Sequence, residues 1–166
     1  MPLIKLTTFV KAPLQRVFDL SRSIDLHKFS MNRFAERPVA GRISGLIEQG
    51  ETVTWKAKHL FKERTLSVRI TAMEAPHSFV DEMLTGDFRS MKHEHYFKEC
   101  DNGTFIIDHL AFESPYGVVG KMFNQLYLTG YMKRMIEDRN GIIKQVAESN
   151  QWKHYLVKEG LGIGSR

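Results

Sequence analysis

Hydrophobic and polar residues alternate along most of the first two thirds of the chain. In Leu3–Val10 the β-branched residues concentrate on one set of alternate positions, which is typical of a largely buried strand. Six further segments of this kind follow, separated by turn residues at regular spacing: 39–48, 52–60, 64–74, 78–84, 88–99 and 104–113. The pattern predicts an antiparallel meander, and with the first strand it gives seven strands in all.

Two short helices are predicted between the first strand and the meander. Pro13 follows the strand and suits the first turn of a helix, where a missing N–H leaves no hydrogen bond unmade. Phe18 and Leu20 contribute to a short apolar face on this first helix. Residues 21–23 break it, and residues 24–34 carry the apolar pattern of a second one.

The longest helical pattern covers residues 116–149, which contain no proline. Its apolar residues form two stripes that lie roughly half a turn apart. The first stripe comprises Val119, Met122, Phe123 and Leu126, and the second comprises Met132, Met135, Ile136, Ile142, Ile143 and Val146. Where the stripes meet, around Tyr127 and Tyr131, the helix is apolar or aromatic on nearly every side. We therefore expect the sheet to cover this helix, with a cavity between them.

Alternation along the strands indicates which side chains point towards that helix. Trp55 and His59 fall on the inward side of the strand at 52–60. His93, His95 and Phe97 fall on the inward side of the strand at 88–99. Two histidines are therefore expected on one inward face.

The inward face of the last strand depends on the turn before it. Asn102-Gly103 is the strongest short signal for a hairpin. If these two residues form the loop, Phe97 lies opposite Asp108, and Asp108 points inward. A longer loop would place His109 on the inward face instead.

Composition limits the class of protein. A chain of 166 residues, 42% of them hydrophobic, is expected to form one domain with a sizeable core. We find neither a signal peptide nor a run approaching the roughly 18 apolar residues of a membrane span, so a soluble cytosolic protein is expected. The only cysteine, Cys100, excludes an internal disulfide. The net charge of +5 is scattered along the chain, and without a recognition motif it predicts no nucleic-acid partner.

Five short motifs carry a resemblance to a known superfamily. They are Ala12-Pro13 through Phe18-Asp19-Leu20-Ser21-Arg22-Ser23, Gly45-Leu46-Ile47, Val53-Thr54-Trp55-Lys56-Ala57, His93-Glu94-His95-Tyr96-Phe97 and Ser114-Pro115-Tyr116-Gly117. Together with the order of the elements, they resemble the SRPBCC superfamily, which includes START lipid-transfer domains, birch-pollen-allergen-like proteins and bacterial polyketide cyclase/dehydrase-like proteins. The resemblance implies the α+β helix-grip fold, in which a seven-stranded curved antiparallel sheet wraps around a long C-terminal helix. Residues 1–149 would form this ligand-binding domain, and residues 150–166 a helix end and a loose tail.

The resemblance also implies a function. Between sheet and helix it places a deep apolar cavity that binds a hydrophobic small molecule such as a lipid, a sterol or a polyketide. The residues that we expect around the ligand are Trp55, His59, His93, His95, Phe97, Asp108, Phe123, Tyr127 and Tyr131. The aromatic residues would surround the apolar body of the ligand, and Asp108 would be the polar partner of the histidines. No cofactor is expected.

Two other interpretations of the inward histidines remain open. His93 and His95, joined by His59, could bind zinc, but no inward Glu or Cys has ligand spacing, so no metal is expected. In an enzyme, His93 or His95 would pair with Asp108 or Asp81 as acid and base on a cyclising or dehydrating substrate. The pairing does not decide which of these residues would be catalytic, so no catalytic residue is assigned.

A third class of function is an interaction protein. In that case the C-terminal tail and the second stripe of the long helix would bury against another chain, and a homodimer would be the assembly. Trp152 and Tyr155 in the tail could equally fold back onto the domain.

Overall fold

The computed structural model describes residues 2–59, 61–114 and 121–157, and of residues 59 and 121–125 it describes the backbone only. The elements in chain order are β1 (Leu3–Val10), α1 (Leu14–Ser21), α2 (Ile24–Ser30), β2 (Arg37–Gly41), β3 (Thr52–His59), β4 (Lys62–Glu74), β5 (Ser78–Thr85), β6 (Ser90–Cys100), β7 (Gly103–Glu113), α3 (Lys121–Ala147) and α4 (Trp152–Leu156). A 3₁₀ turn, Asn32–Phe34, follows α2. The prediction of seven strands, two short helices and one long helix is confirmed.

The seven strands form one antiparallel sheet in the order β1-β7-β6-β5-β4-β3-β2. The meander therefore runs in sequence from β2 to β7, and β1 is added beside the last strand. Register shifts interrupt the β2–β3 and β4–β5 pairings. Irregularities of this kind bend and twist a sheet locally, and the sheet curves around the long helix.

The predicted turn between β6 and β7 is wrong by one residue. Cys100 pairs with Gly103, so the loop begins one residue earlier than expected and the strand register shifts by two. Because a shift of two residues leaves every side chain on its own face, Asp108 points inward as predicted. Its partner across the ladder is His95 instead of Phe97.

Gly103 has a different role from the one that the Asn-Gly signal indicated. A Cβ atom added to this glycine would lie 2.2 Å from the carbonyl oxygen of Val10 in β1, far inside van der Waals contact. The glycine is needed because β1 comes this close to the hairpin. The side chain of the next residue, Thr104, donates a hydrogen bond of 2.9 Å to the carbonyl of Ala12.

The break between α1 and α2 is explained by a helix cap. Ser23 has an extended backbone and its side chain accepts a hydrogen bond from the N–H of Leu26, which satisfies one of the unpaired donors at the start of α2. Phe18 of α1 is fully buried and packs edge-on against Phe79 and Phe97 of the sheet. The two short helices therefore close one end of the sheet.

The second half of α3 packs against β1, α1 and α2. Ile136, Ile143 and Val146 are buried there, so this part of the second apolar stripe faces the core of this chain. In the first stripe, Leu126 is 80% exposed. Val119 and the side chains of Met122 and Phe123 lie outside the described residues.

After α3 the chain folds back onto the domain. Trp152 of α4 is partly buried against the core, and the guanidinium of Arg16 in α1 lies 4.3 Å from the centre of its ring. The loose tail predicted at the C-terminus falls in residues 158–166, which lie outside the described residues. Within the described part of the chain, no helix is both long and apolar enough to cross a membrane.

Candidate functional site

A cavity of about 360 Å³ lies between the sheet and residues 127–139 of α3. Its walls come from the inner faces of β3 to β7, from α2 and from α3. Apolar side chains of the sheet form much of the surface, among them Val53, Trp55, Ala57, Val68, Ile70 and Leu110. The cavity exists because the part of α3 above these strands is held away from them.

Two tyrosines of α3 stand at the cavity. The rings of Tyr127 and Tyr131 are nearly parallel, at 15°, with their centres 6.5 Å apart, and both line the space. Tyr127 is 56% exposed, so it lies at the opening, and Tyr131 is more enclosed. Burial raises the pKa of the Tyr131 hydroxyl above its ordinary value, which keeps the phenol neutral and able to donate a hydrogen bond.

The residues predicted around a ligand are distributed as follows. Five of them line the cavity: Trp55, His93, His95, Tyr127 and Tyr131. Phe97 and Asp108 do not line it. Phe97 is buried in the core against Phe18 and Phe79, and Asp108 is fully buried in contact with His93 and His95. The side chains of His59 and Phe123 lie outside the described residues.

A buried polar cluster occupies the sheet side of the cavity. It comprises Asp81, His93, His95, Asp108, Arg139 and Asn140. His93 and His95 lie two residues apart on β6 and therefore share a face. In the ladder, Asp81 of β5 pairs with His93, and Asp108 of β7 pairs with His95. Strand register alone thus brings two imidazoles and two carboxylates together.

Asp108 lies at the centre of this cluster and is fully buried. Its Oδ1 is 3.0 Å from Nε2 of His93. The same oxygen is 2.9 Å from Nδ1 of His95, although this nitrogen lacks the alignment of a hydrogen bond. Oδ2 accepts a hydrogen bond of 2.6 Å from Nδ2 of Asn140. Asp108 therefore fixes both histidines and is itself fixed by α3.

The second nitrogen of His95 points to the other carboxylate. Nε2 of His95 lies 2.9 Å from Oδ2 of Asp81, and Asp81 borders the cavity. Asp81, His93 and His95 each offer one potential metal-ligand atom, and these three atoms lie within 4.8 Å of one another. They are the residues of this site that could hold a metal ion.

Arg139 and Asn140 were not among the predicted site residues. Arg139 donates a hydrogen bond of 2.8 Å to the carbonyl of Ser21 and reaches within 3.8 Å of Asp108. Helical spacing did contain a signal, since positions 136, 140 and 143 fall on one stripe. A polar residue at the middle position of a buried stripe requires a polar partner.

Comparisons with known proteins address the fold. No protein-family model and no curated protein matches the sequence. Among solved structures, TTHA0849 from Thermus thermophilus is similar with a TM-score of 0.71 and 16% identity over 87% of this chain and 95% of that chain. Ms6760 from Mycobacterium smegmatis has a TM-score of 0.63 and 19% identity, over 87% of this chain and 89% of that chain. Major latex-like protein 151 from Panax ginseng has a TM-score of 0.65 and 12% identity, over 88% of this chain and 97% of that chain. The chain has the helix-grip fold. The fold that the resemblance implied is therefore confirmed.

Within this helix-grip fold, the two carboxylates of the cluster are held ionised. Burial opposes the negative charge of Asp108, but its contacts with His93 and His95 outweigh burial and hold the pKa of this carboxyl far below its usual range. Burial also acts against ionisation of Asp81. The hydrogen bond with His95 and the neighbouring basic groups still lower the pKa of Asp81.

The two imidazoles of the helix-grip site differ in their ionisation. Burial opposes a charge on His95, but the adjacent carboxylates Asp108 and Asp81 raise its pKa. Burial and the neighbouring charge of His95 lower the pKa of His93. A neutral His93 that donates from Nε2 to Asp108 keeps a lone pair on Nδ1. Since His93 lines the cavity, the site can accept a hydrogen bond or coordinate an ion at this position.

Proposed function

We propose that the protein binds a largely apolar small molecule, of the lipid, sterol or polyketide type, in the cavity between the sheet and α3. The observation that carries this proposal is a space of about 360 Å³ with mainly apolar walls and a fixed polar cluster on one side. Cavities of roughly 300–1,000 Å³ with a few well-placed polar groups are typical of small-molecule sites.

Burial of apolar surface would supply most of the affinity. A ligand that loses about 200 Å² of apolar surface to the cavity gains on the order of 5 kcal/mol before the costs of association. Trp55 supports such a contact, since it is 6% exposed and its ring is held 4.4 Å from the ring of His27. A rigid aromatic wall loses little conformational entropy when a ligand binds.

The polar cluster would orient the ligand. Asp108 and Asn140 are fully buried and hold His93 in one position, so a polar group of the ligand meets a fixed partner at the cavity wall. A ligand without such a group would leave this partner unpaired, at a cost of about 1–3 kcal/mol. We therefore expect a ligand with an apolar body and one hydrogen-bonding group.

Filling the cavity tests this proposal. Ala57 of β3 is buried and lines the space, so Ala57→Phe would place a ring inside it. The neighbouring Lys58 is exposed and points to the other face of the strand, which makes Lys58→Phe the matched control. Affinity for the neutral apolar dye Nile red, measured by fluorescence titration, is expected to fall at least about 10-fold in Ala57→Phe, a loss of about 1.4 kcal/mol.

Urea unfolding of both variants separates this effect from misfolding. Ala57→Phe is expected to stay folded, with a free energy of unfolding that is lower by about 1–3 kcal/mol at most. Equal dye affinity in wild type, Ala57→Phe and Lys58→Phe would show that the dye binds elsewhere and would remove the support for a ligand in this cavity.

A further inference from the structure

The donor atoms at the cavity wall match those of a metal centre. Two imidazoles and one carboxylate, from His93, His95 and Asp81, converge with one atom each inside 4.8 Å. This donor set, with further positions left open, is characteristic of catalytic zinc sites and of mononuclear non-haem iron sites. We propose that Asp81, His93 and His95 bind a divalent transition metal ion of the Zn²⁺ or Fe²⁺ class.

The strand register places these three residues side by side. The rings of His93 and His95 lie side by side on β6, with centres 3.8 Å apart, and Asp81 is the ladder partner of His93. Nε2 of His95 and Oδ2 of Asp81 are 2.9 Å apart. Tetrahedral ligands about 2.1 Å from zinc lie roughly 3.4 Å from each other. The separations therefore have to change by at most about 1.4 Å to close the set around an ion.

Asp108 performs the task of an outer carboxylate in a metal site. It is hydrogen-bonded to Nε2 of His93 and lies 2.9 Å from Nδ1 of His95, so it stands beside one nitrogen of each ring. The ligand atoms for an ion would be the second nitrogen of each ring, and Nε2 of His95 already lies 2.9 Å from Oδ2 of Asp81. Carboxylates that orient metal-binding histidines in this way are a regular feature of metal centres. A simple ion pair between Asp81 and His95 would not require a second buried carboxylate behind both rings.

The charges of the cluster also suit an ion with an open position. A divalent ion balances the carboxylates Asp81 and Asp108, and the guanidinium of Arg139, 3.8 Å from Asp108, adds one positive charge. An anionic ligand of the metal ion, such as hydroxide, would compensate this additional positive charge. Because Asp81, His93 and His95 all line the cavity, such a ligand would enter from the cavity. This inference does not depend on the proposed organic ligand, since an ion can be titrated alone.

Zinc titration of the full chain tests the site. Protein expressed without a histidine tag and treated with a chelator is expected to bind one Zn²⁺ per chain in equilibrium dialysis. The variants His93→Gln, His95→Gln and Asp81→Asn are expected to lose at least about 100-fold in affinity, and Asp108→Asn about 10- to 100-fold. His109→Gln is the matched control, because His109 lies on β7 next to Asp108 but on the opposite face of the sheet.

A second measurement keeps the test independent of folding in the variants. X-ray absorption at the zinc edge of the wild-type complex is expected to show two imidazole ligands. The proposal is overturned if wild type binds no stoichiometric Zn²⁺, if the spectrum lacks imidazole, or if His109→Gln weakens binding as much as His93→Gln. Unchanged Zn²⁺ affinity in Asp81→Asn would remove Asp81 from the ligand set.

Discussion

The two halves of α3 lie over the same sheet but meet it differently. From Asn140 onwards the helix is packed, and Ile143 and Val146 are almost without solvent exposure. Before that point, Leu126 and Tyr127 are largely exposed, and the residues that do face the sheet border the cavity. One helix therefore combines a part that stabilises the fold with a part that covers the cavity. Changes in the two halves should affect different properties of the molecule.

Local packing explains the difference. The second half of α3 contacts β1, α1 and α2, so its stripe is enclosed on several sides. The first half has the concave inner face of β3 to β6 beneath it, and Leu128 and Met132 are only partly buried there. Protein interiors are densely packed, with few voids larger than a water molecule. A void of about 360 Å³ is thus a costly feature, and binding a ligand is a use that explains it.

The largest expected effect is a loss of stability in the packed half. Ile143→Ala should lower the free energy of unfolding by about 2–5 kcal/mol, because it leaves a cavity among fully buried neighbours. Met132→Ala, the control in the other half, should cost less than Ile143→Ala, since its side chain is only partly buried and already borders empty space. Urea unfolding at equilibrium measures both. Equal losses would contradict the difference between the halves.

An intermediate effect is expected at the boundary between the halves. Asn140→Ala removes the 2.6 Å hydrogen bond to the buried carboxylate of Asp108, and hydrogen bonds to charged groups contribute about 1.5–3 kcal/mol. We expect an unfolding free energy lower by this amount. Gln145→Ala is the control, because this side chain on the same helix is exposed. A loss below about 0.5 kcal/mol in Asn140→Ala would show that Asp108 is held by its other contacts.

The smallest effect is expected at the exposed end. Leu126→Gln should change the free energy of unfolding by no more than about 0.5 kcal/mol, as for other surface substitutions, because Leu126 is 80% exposed. Sedimentation velocity of wild type and variant tests the alternative that a second copy covers this residue. A wild-type dimer that dissociates in Leu126→Gln would make the first half of α3 an interface.

The sequence predicted most of the fold but not the segment around β2. Alternation suggested a strand at 39–48, whereas β2 is Arg37–Gly41. The residues after it form a loop in which Gly45 and Gly50 adopt positive φ values and Arg42 pairs with Glu51. Buried Ile47 made this loop resemble a strand, because periodicity cannot tell a single inward residue from a pleated segment.

The site was only partly predictable for a similar reason. His93 and His95 share a face by alternation alone, which the sequence shows directly. That Asp81 and Asp108 lie beside them depends on strand register, and a loop shift of one residue was enough to change the partner of His95. Asn140 depends on the packing of α3 against the sheet. Such contacts between distant elements follow from three-dimensional packing, which a single sequence does not specify.

The close approach at Gly103 has a consequence for the position of α1. With only a hydrogen atom on its α-carbon, this residue lets β1 rest directly against the hairpin, and Thr104 then holds the carbonyl of Ala12 just before the helix. A side chain at 103 would collide with the Val10 carbonyl and with Lys11, so the end of β1 would have to move away from the hairpin. We therefore expect this turn to influence where the chain enters α1.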